Sequence, residues 1–244
     1  MRLTRCPVAL PLQPGQTLAL PEDAANHLVR VMRLREGDAC VLFNGDGSDY
    51  AATLLAVGKR EVQVRIDAAR ALDNESPLAI TLLQGIARGE KMDLILQKAT
   101  ELGVTAIIPV NAERTEVKLD AARAEKRLAH WRSVVGAACG QSGRARIPAL
   151  SPPQALAAAA AALPAQSLRL TLDPLGEHRL SALPSAPAGG VVIAIGPEGG
   201  WSPRDRQQLA DAGFQGLQLG PRILRTETAG LAAIAALQAR LGDL

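Results

Sequence analysis

Aromatic side chains are nearly absent from this chain of 244 residues: two Trp, one Tyr and two Phe make up 2% of it. That scarcity argues against nucleic-acid recognition by extensive stacking of bases on aromatic rings and leaves arginine and backbone groups as the remaining route. Cysteine is equally sparse. Cys6, Cys40 and Cys139 are too widely spaced for a zinc site or a disulfide framework and read as reduced, small apolar residues, so no metal is expected. No uninterrupted apolar run is long enough to cross a bilayer, and the alanine tract from Ala157 to Ala162 stops short at Pro164. With no signal-peptide core at the start, cytoplasmic residence with no membrane partner is the expectation. Charge of one sign is not in excess either: a formal net charge of +3 permits polyanion binding without arguing for it.

What the chain does have is apolar content, 48% by count, enough for real cores in one large or two small domains. Its first part reads as β-rich. Gly37 to Phe43 is an apolar strand, Asn44-Gly45-Asp46-Gly47 a turn, and Tyr50 to Val57 and Val62 to Ile66 are further short strands, the pattern of a small barrel. Ala71 to Pro77 is the expected linker, placing a boundary between domains at 1–72 and 73–244. Beyond it the periodicity turns to α/β. Leu78 to Leu83 is a strand, Glu90 to Leu102 a helix burying Met92, Ile95, Leu96, Ala99 and Leu102, and Val104 to Val110 a strand after the stop at Gly103.

The most informative stretch lies near the C-terminus. Val191 to Ile195 and Phe214 to Leu219 read as buried parallel strands, followed respectively by Gly196-Pro197-Glu198-Gly199-Gly200 and by Gly220-Pro221-Arg222-Ile223-Leu224-Arg225-Thr226-Glu227-Thr228-Ala229. Ser202 as N-cap, Pro203 as first helical residue and Asp205 three past the cap open a helix that Gly213 closes. Strand, glycine loop and helix, twice over, is the plan of a ligand site at the carboxyl edge of an open α/β sheet. Glycines at 196, 199, 200 and 220 can take positive φ and let backbone approach a flat ligand, while Pro197 and Pro221 stiffen the loops.

These motifs resemble those of the SPOUT methyltransferases, and specifically of the 16S ribosomal RNA uridine-N3 methyltransferase family. The resemblance runs the length of the chain, through His27-Leu28-Val29-Arg30-Val31-Met32-Arg33, Lys91-Met92-Asp93, Gln97 to Val104, Glu113-Arg114 and Gln141-Ser142-Gly143-Arg144. It implies a SPOUT-type α/β domain, a parallel sheet with a trefoil knot, behind a small N-terminal PUA-like RNA-binding β-barrel. It also implies S-adenosylmethionine as methyl donor, a uridine of 16S rRNA in the decoding region of the small ribosomal subunit as target, and a homodimer whose site draws on both subunits. One position departs from the family. Members usually carry glutamate just before the Gln-Ser-Gly-Arg run, and here Gly140 stands there.

Methylating N3 of uracil needs a rigid cradle for the donor, an in-line approach by nitrogen, and removal of the N3 proton. Arg225 is a candidate to stabilise the uracil anion and Glu227 to accept its proton, with Arg114 a further candidate through the family pattern. Glu227 could equally serve the helix dipole, and Thr226 could be an N-cap. For the donor, Leu172 and Asp173 would lie beside the loop of Gly196, Pro197, Glu198, Gly199 and Gly200. Leu219, Gly220, Ile223, Leu224 and Thr226 would complete the cradle, although Ile223 and Leu224 could also be ordinary core. His27, Arg30 and Arg33 fall at helical spacings and, with Gln141 and Arg144, are the expected RNA contacts. Two other readings stay open: a SPOUT enzyme acting on a ribose 2'-hydroxyl or on tRNA, and a non-catalytic RNA-binding or ribosome-assembly protein.

Overall fold

The computed structural model describes residues 3–58, 60–117, 120–185 and 187–244, and it divides into two compact units. Residues 1–75 and 135–147 form the first, residues 76–134 and 148–244 the second. The first unit thus ends three residues beyond the boundary expected at 72, and it recruits a segment from later in the chain. That segment joins because Phe43, Cys139 and Ala145 bury one another, with Leu72 packed against them.

In the first unit β1 (Arg5–Pro7), β2 (Thr17–Ala19), β3 (Ala39–Phe43), β4 (Ser48–Val57) and β5 (Val62–Ala71) form a sheet in the order β1-β3-β4-β5-β2. Only β1 and β3 pair in parallel. Tyr50, Ala52 and Leu54 of β4 and Val62, Val64 and Ile66 of β5 alternate with more exposed neighbours, the period-two signature of a strand with one buried face. The turn at Asn44 to Gly47 is as expected. The Asn44 side chain accepts from the Asp46 N–H at 3.2 Å, and Gly45 and Gly47 take φ of 94° and 97°.

Helix α1 (Glu22–Ala25) runs directly into a π-helical turn over Asn26–Val31, where the Met32 N–H reaches back to the His27 carbonyl. This corrects the spacing expected for the basic residues. A π-turn winds more widely than an α-helix, and Arg33 lies beyond it at φ 60°, so His27, Arg30 and Arg33 do not share a helical face. Arg30 and Arg33 are exposed and His27 is half-buried.

The second unit is built on β6 (Ile80–Gly85), β7 (Ala106–Asn111), β8 (Ala149–Leu150), β9 (Gln154–Ala155), β10 (Leu168–Leu172), β11 (His178–Arg179), β12 (Val191–Ile195) and β13 (Gln215–Gln218). All pair in parallel, in the order β11-β13-β10-β12-β6-β7-β8, with β9 also on β7. β12 is buried at every residue, as its unbroken apolar run requires. Helices α2 (Glu90–Glu101), α4 (Leu156–Ala161), α5 (Pro203–Asp211) and α6 (Thr226–Leu241) belong to this unit, as does α3 (Ala121–Ser142) up to residue 134, its remainder belonging to the first unit. Met92, Ile95, Leu96 and Ala99 form the buried stripe of α2, whereas Leu102 is only half-buried. On α6, Ala233, Ile234 and Leu237 are core.

Candidate active site

Two loops at the carboxyl edge of the second unit's sheet make the site. β12 ends at Ile195, and the backbone then turns through Pro197 to Gly200, whose N–H bonds the Pro197 carbonyl at 2.8 Å. The turn lies against β6 at a point that only glycine permits, since a Cβ on Gly85 would stand 2.5 Å from the Pro197 nitrogen. Of the glycines expected to need positive φ, Gly200 (64°) and Gly220 (134°) have it; Gly196 and Gly199 do not. Those two are needed for close approach instead. A Cβ on Gly196 would meet Gly200 at 3.2 Å, and one on Gly199 would meet the Arg114 side chain at 3.0 Å. Past Trp201 the predicted capping box is present. The Ser202 hydroxyl accepts from the Asp205 N–H at 3.0 Å, and the Asp205 carboxylate accepts from the Ser202 N–H at 3.0 Å.

The second loop follows β13 and leads into α6. Arg225, not Thr226, is the N-cap of that helix, and its side chain makes no capping bond. Thr226 is used otherwise: its buried hydroxyl donates to the Gly196 carbonyl at 2.6 Å and accepts from the Gln84 amide at 3.1 Å. This bridge ties the two glycine loops to each other and to β6. β10, between β12 and β13, brings Leu172 and Asp173 to the same edge. The Asp173 carboxylate is engaged there by the Leu175 N–H at 2.9 Å and by Arg206 at 3.2 Å.

Between the loops lies a cavity of about 480 Å³. Leu172, Asp173, Gly196, Pro197, Glu198 and Gly200 line one part of it, and Leu219, Gly220, Ile223, Leu224, Arg225, Thr226 and Glu227 line the other. Gly199 and Arg114 do not. Arg114 sits behind the loop and donates to the Gly199 carbonyl at 3.1 Å. Ile223, for which ordinary core was an alternative, is 88% exposed at the cavity. Lys91, Trp201, Arg206 and Arg222 are lining residues without a role in the sequence reading. Lys91 stood in the Lys-Met-Asp motif, and nothing local tied it to loops so distant in the chain.

The charges at this site are unevenly satisfied. Burial works against ionisation of Glu198, but the Arg88 N–H at 3.0 Å, a backbone N–H of its own and the Lys91 ammonium outweigh it and hold the carboxyl below its ordinary value. Glu227 Oε2 is buried without a hydrogen-bond partner among the described residues. A carboxylate so incompletely bonded, on a residue that lines the cavity, suits a ligand that brings a donor.

The expected RNA contacts belong to the first unit. Gln141 is exposed. Arg144 is not: at 5% exposure its guanidinium grips Glu75 through Nε, at 3.1 Å to Oε1 and 3.2 Å to Oε2, and through Nη2, at 2.5 Å to Oε2, so it stands inside the fold. At Gly140 a Cβ would press on the Arg5 carbonyl at 3.1 Å, which gives glycine a packing reason there. The three thiols are inert by position. Burial pushes Cys6 and Cys40 up to about 12 and Cys139 to about 11.

With this geometry established, comparison with known proteins is decisive. Residues 74–238 match the RNA methyltransferase domain family, and residues 20–67 the RNA methyltransferase PUA domain. The chain is 31% identical to ribosomal RNA small subunit methyltransferase E of Buchnera aphidicola over 100% of this chain and 98% of the relative. The chain belongs to the ribosomal RNA small subunit methyltransferase E family. The family member from Bacillus subtilis is 30% identical, over 93% of this chain and 91% of its own length. Among solved structures, the family enzyme of Neisseria gonorrhoeae bound to S-adenosyl methionine has a TM-score of 0.91 at 42% identity, covering 100% of both chains. A methyltransferase of Legionella pneumophila in complex with the same cofactor has a TM-score of 0.95 at 39% identity, again over 100% of both. The expected fold class, a SPOUT domain with a PUA-like domain before it, is that of the ribosomal RNA small subunit methyltransferase E family.

Proposed function

We propose that this protein transfers the methyl group of S-adenosylmethionine to N3 of a uridine in 16S rRNA of the small ribosomal subunit, acting in the cytoplasm as a homodimer. The observation that carries the reading is the cavity between the two glycine loops, lined by Glu227, one oxygen of which is buried without a hydrogen bond. Its volume lies within the roughly 300–1,000 Å³ usual for small-molecule and cofactor sites. The wall fits the donor's chemistry. Leu172, Leu219 and Leu224 offer apolar surface to an adenine, glycine backbone offers hydrogen bonds to its edge, and Glu198 and Glu227 offer negative charge to a cationic ligand.

S-adenosylmethionine supplies a methyl group already activated on a sulfonium. The remaining work falls to the protein. The Thr226 bridge to Gly196 and Gln84 fixes the two loops at one spacing, and a well-oriented pair of reactants gains roughly 7–11 kcal/mol from such positioning. The Glu227 carboxylate accepts the N3 proton of uracil, and the exposed guanidinium of Arg225 stabilises the imide anion. The target base must be unpaired for its N3 to enter the cavity. Arg30, Arg33 and Gln141 hold the RNA, Arg30 and Arg33 through phosphate.

The test is methyl transfer from labelled S-adenosylmethionine to unmodified small subunits and, in parallel, to naked 16S RNA, with nucleoside mass spectrometry of the product. N3-methyluridine supports the proposal, and its yield on the two substrates identifies the one used. A ribose-methylated nucleoside would move the activity to another SPOUT target, and RNA binding without donor binding would make this a binding protein. Light scattering with activity on dilution tests the dimer, since a fully active monomer would remove it.

A further inference from the structure

Lys91 stands in the first turn of α2, and its ammonium meets carboxylates from two other segments: Glu198 Oε1 at 3.5 Å and Glu227 Oε2 at 3.8 Å. Both distances exceed ordinary hydrogen-bond length, so the ammonium is shared between the acids without saturating either. Glu198 has a second anchor in the Arg88 N–H. Glu227 has none, and among the described residues Lys91 is the side chain that pairs with it. Two carboxylates on residues that line one cavity repel, and a single cation between them relieves that repulsion without hydrogen-bonding Glu227.

We propose that Lys91 is a positioning residue, whose ammonium, shared with Glu198, holds the buried Oε2 of Glu227 and so sets the orientation in which this cavity-lining carboxylate receives the substrate's N–H. This rests on the reading of Glu227 given above. Lys91 then acts through Glu227 and has no independent contact with the reacting atoms. It couples the loop after β12 to the start of α6 by charge, where Thr226 couples them by hydrogen bonds.

The experiment is a double-mutant cycle in single-turnover methyl transfer, using Lys91→Met, Glu227→Gln and the double variant. Lys91→Met is expected to slow transfer by about 10- to 100-fold, the scale of a misplaced catalytic group, and Lys91→Arg to recover part of the loss. S-adenosylmethionine affinity by calorimetry is expected to stay within about twofold of wild type, and the double variant to be no slower than Glu227→Gln. An equal loss in the Glu227→Gln background, or a fall in donor affinity that accounts for the rate, would overturn the proposal. A second readout needs no turnover. In the ligand-free protein the ¹³C-carboxyl resonance of Glu227 should move in Lys91→Met and stay in place in Lys126→Met, a change on the exposed face of α3; an unmoved resonance in Lys91→Met also overturns it. If the wild type methylates another atom, the uridine-N3 assignment falls, and the same cycle, run on that product, still decides whether Lys91 works through Glu227.

Discussion

Two charge clusters in this protein pair cations with carboxylates to opposite ends. In the first unit Arg5 pairs with Asp49 and donates to the Cys139 carbonyl, while Arg144 takes Glu75 in a two-pronged grip. Both arginine side chains are 6% exposed. In the second unit Lys91 spreads one charge over Glu198 and Glu227 at 3.5 and 3.8 Å, and an oxygen of Glu227 is left without a bond. The first cluster spends most of its valence on the fold, although Arg5 Nε is also buried without a hydrogen-bond partner among the described residues. The second lies at a cavity and leaves a carboxylate incompletely bonded there, and this difference separates the structural arginines from the carboxylate proposed to take the N3 proton.

The comparison can be broken most forcefully at Glu227. Glu227→Gln should lower the rate of methyl transfer by about 10²- to 10⁴-fold with stability nearly unchanged, as read by single-turnover kinetics and thermal melting. A drop in stability with unchanged rate would make Glu227 a structural acid. Arg144→Met should do the reverse. It leaves Glu75 without this partner, costs about 3–5 kcal/mol in denaturant unfolding, and should disturb RNA affinity only through the fold. Weak RNA binding by a variant of wild-type stability would restore Arg144 to the RNA contacts.

Smaller effects sharpen the contrast. Gly85→Ala drives a methyl into Pro197, an overpacking worth about 1–3 kcal/mol that should also weaken donor binding; Gly140→Ala, with 3.1 Å to the Arg5 carbonyl, should cost less and leave the donor site alone. Calorimetry with S-adenosylmethionine separates the two. Smallest is the pH effect of Glu198. Its folded-state value lies below the ordinary one, so it contributes stability above the unfolded-state value, and that contribution is lost as pH falls through the folded-state value. The acid limb of the stability profile should therefore flatten in Glu198→Gln.

Much of the site could be read locally because its signals are local. The Ser202–Asp205 capping box, the apolar run of Val191 to Ile195 and the two glycine loops each declare themselves within a few residues. Parallel pairing then makes neighbours of strand ends such as Leu172 and Ile195, which the α/β plan anticipates. Lys91 escaped because only the sheet order β12-β6 sets the helix after β6 beside the loop after β12. Arg144 was misjudged for a related reason: a basic motif does not announce that a half-buried glutamate, Glu75, awaits it. The π-turn at Asn26–Val31 was invisible because apolar periodicity does not separate a wide turn from an α-helix over six residues. No linear reading of domains would assign residues 135–147 to the first unit, since the burial of Cys139 and Ala145 against Phe43 is a contact across the chain.

The claim on which the rest depends is that the methyl donor occupies the cavity at the carboxyl edge of β10, β12 and β13. Ultraviolet crosslinking of labelled S-adenosylmethionine to the full chain, followed by peptide mapping, tests it most directly. The label is predicted in peptides spanning residues 194–201 or 217–229, and to be lost on competition with unlabelled donor. Competable label confined to peptides of the first unit would contradict the account.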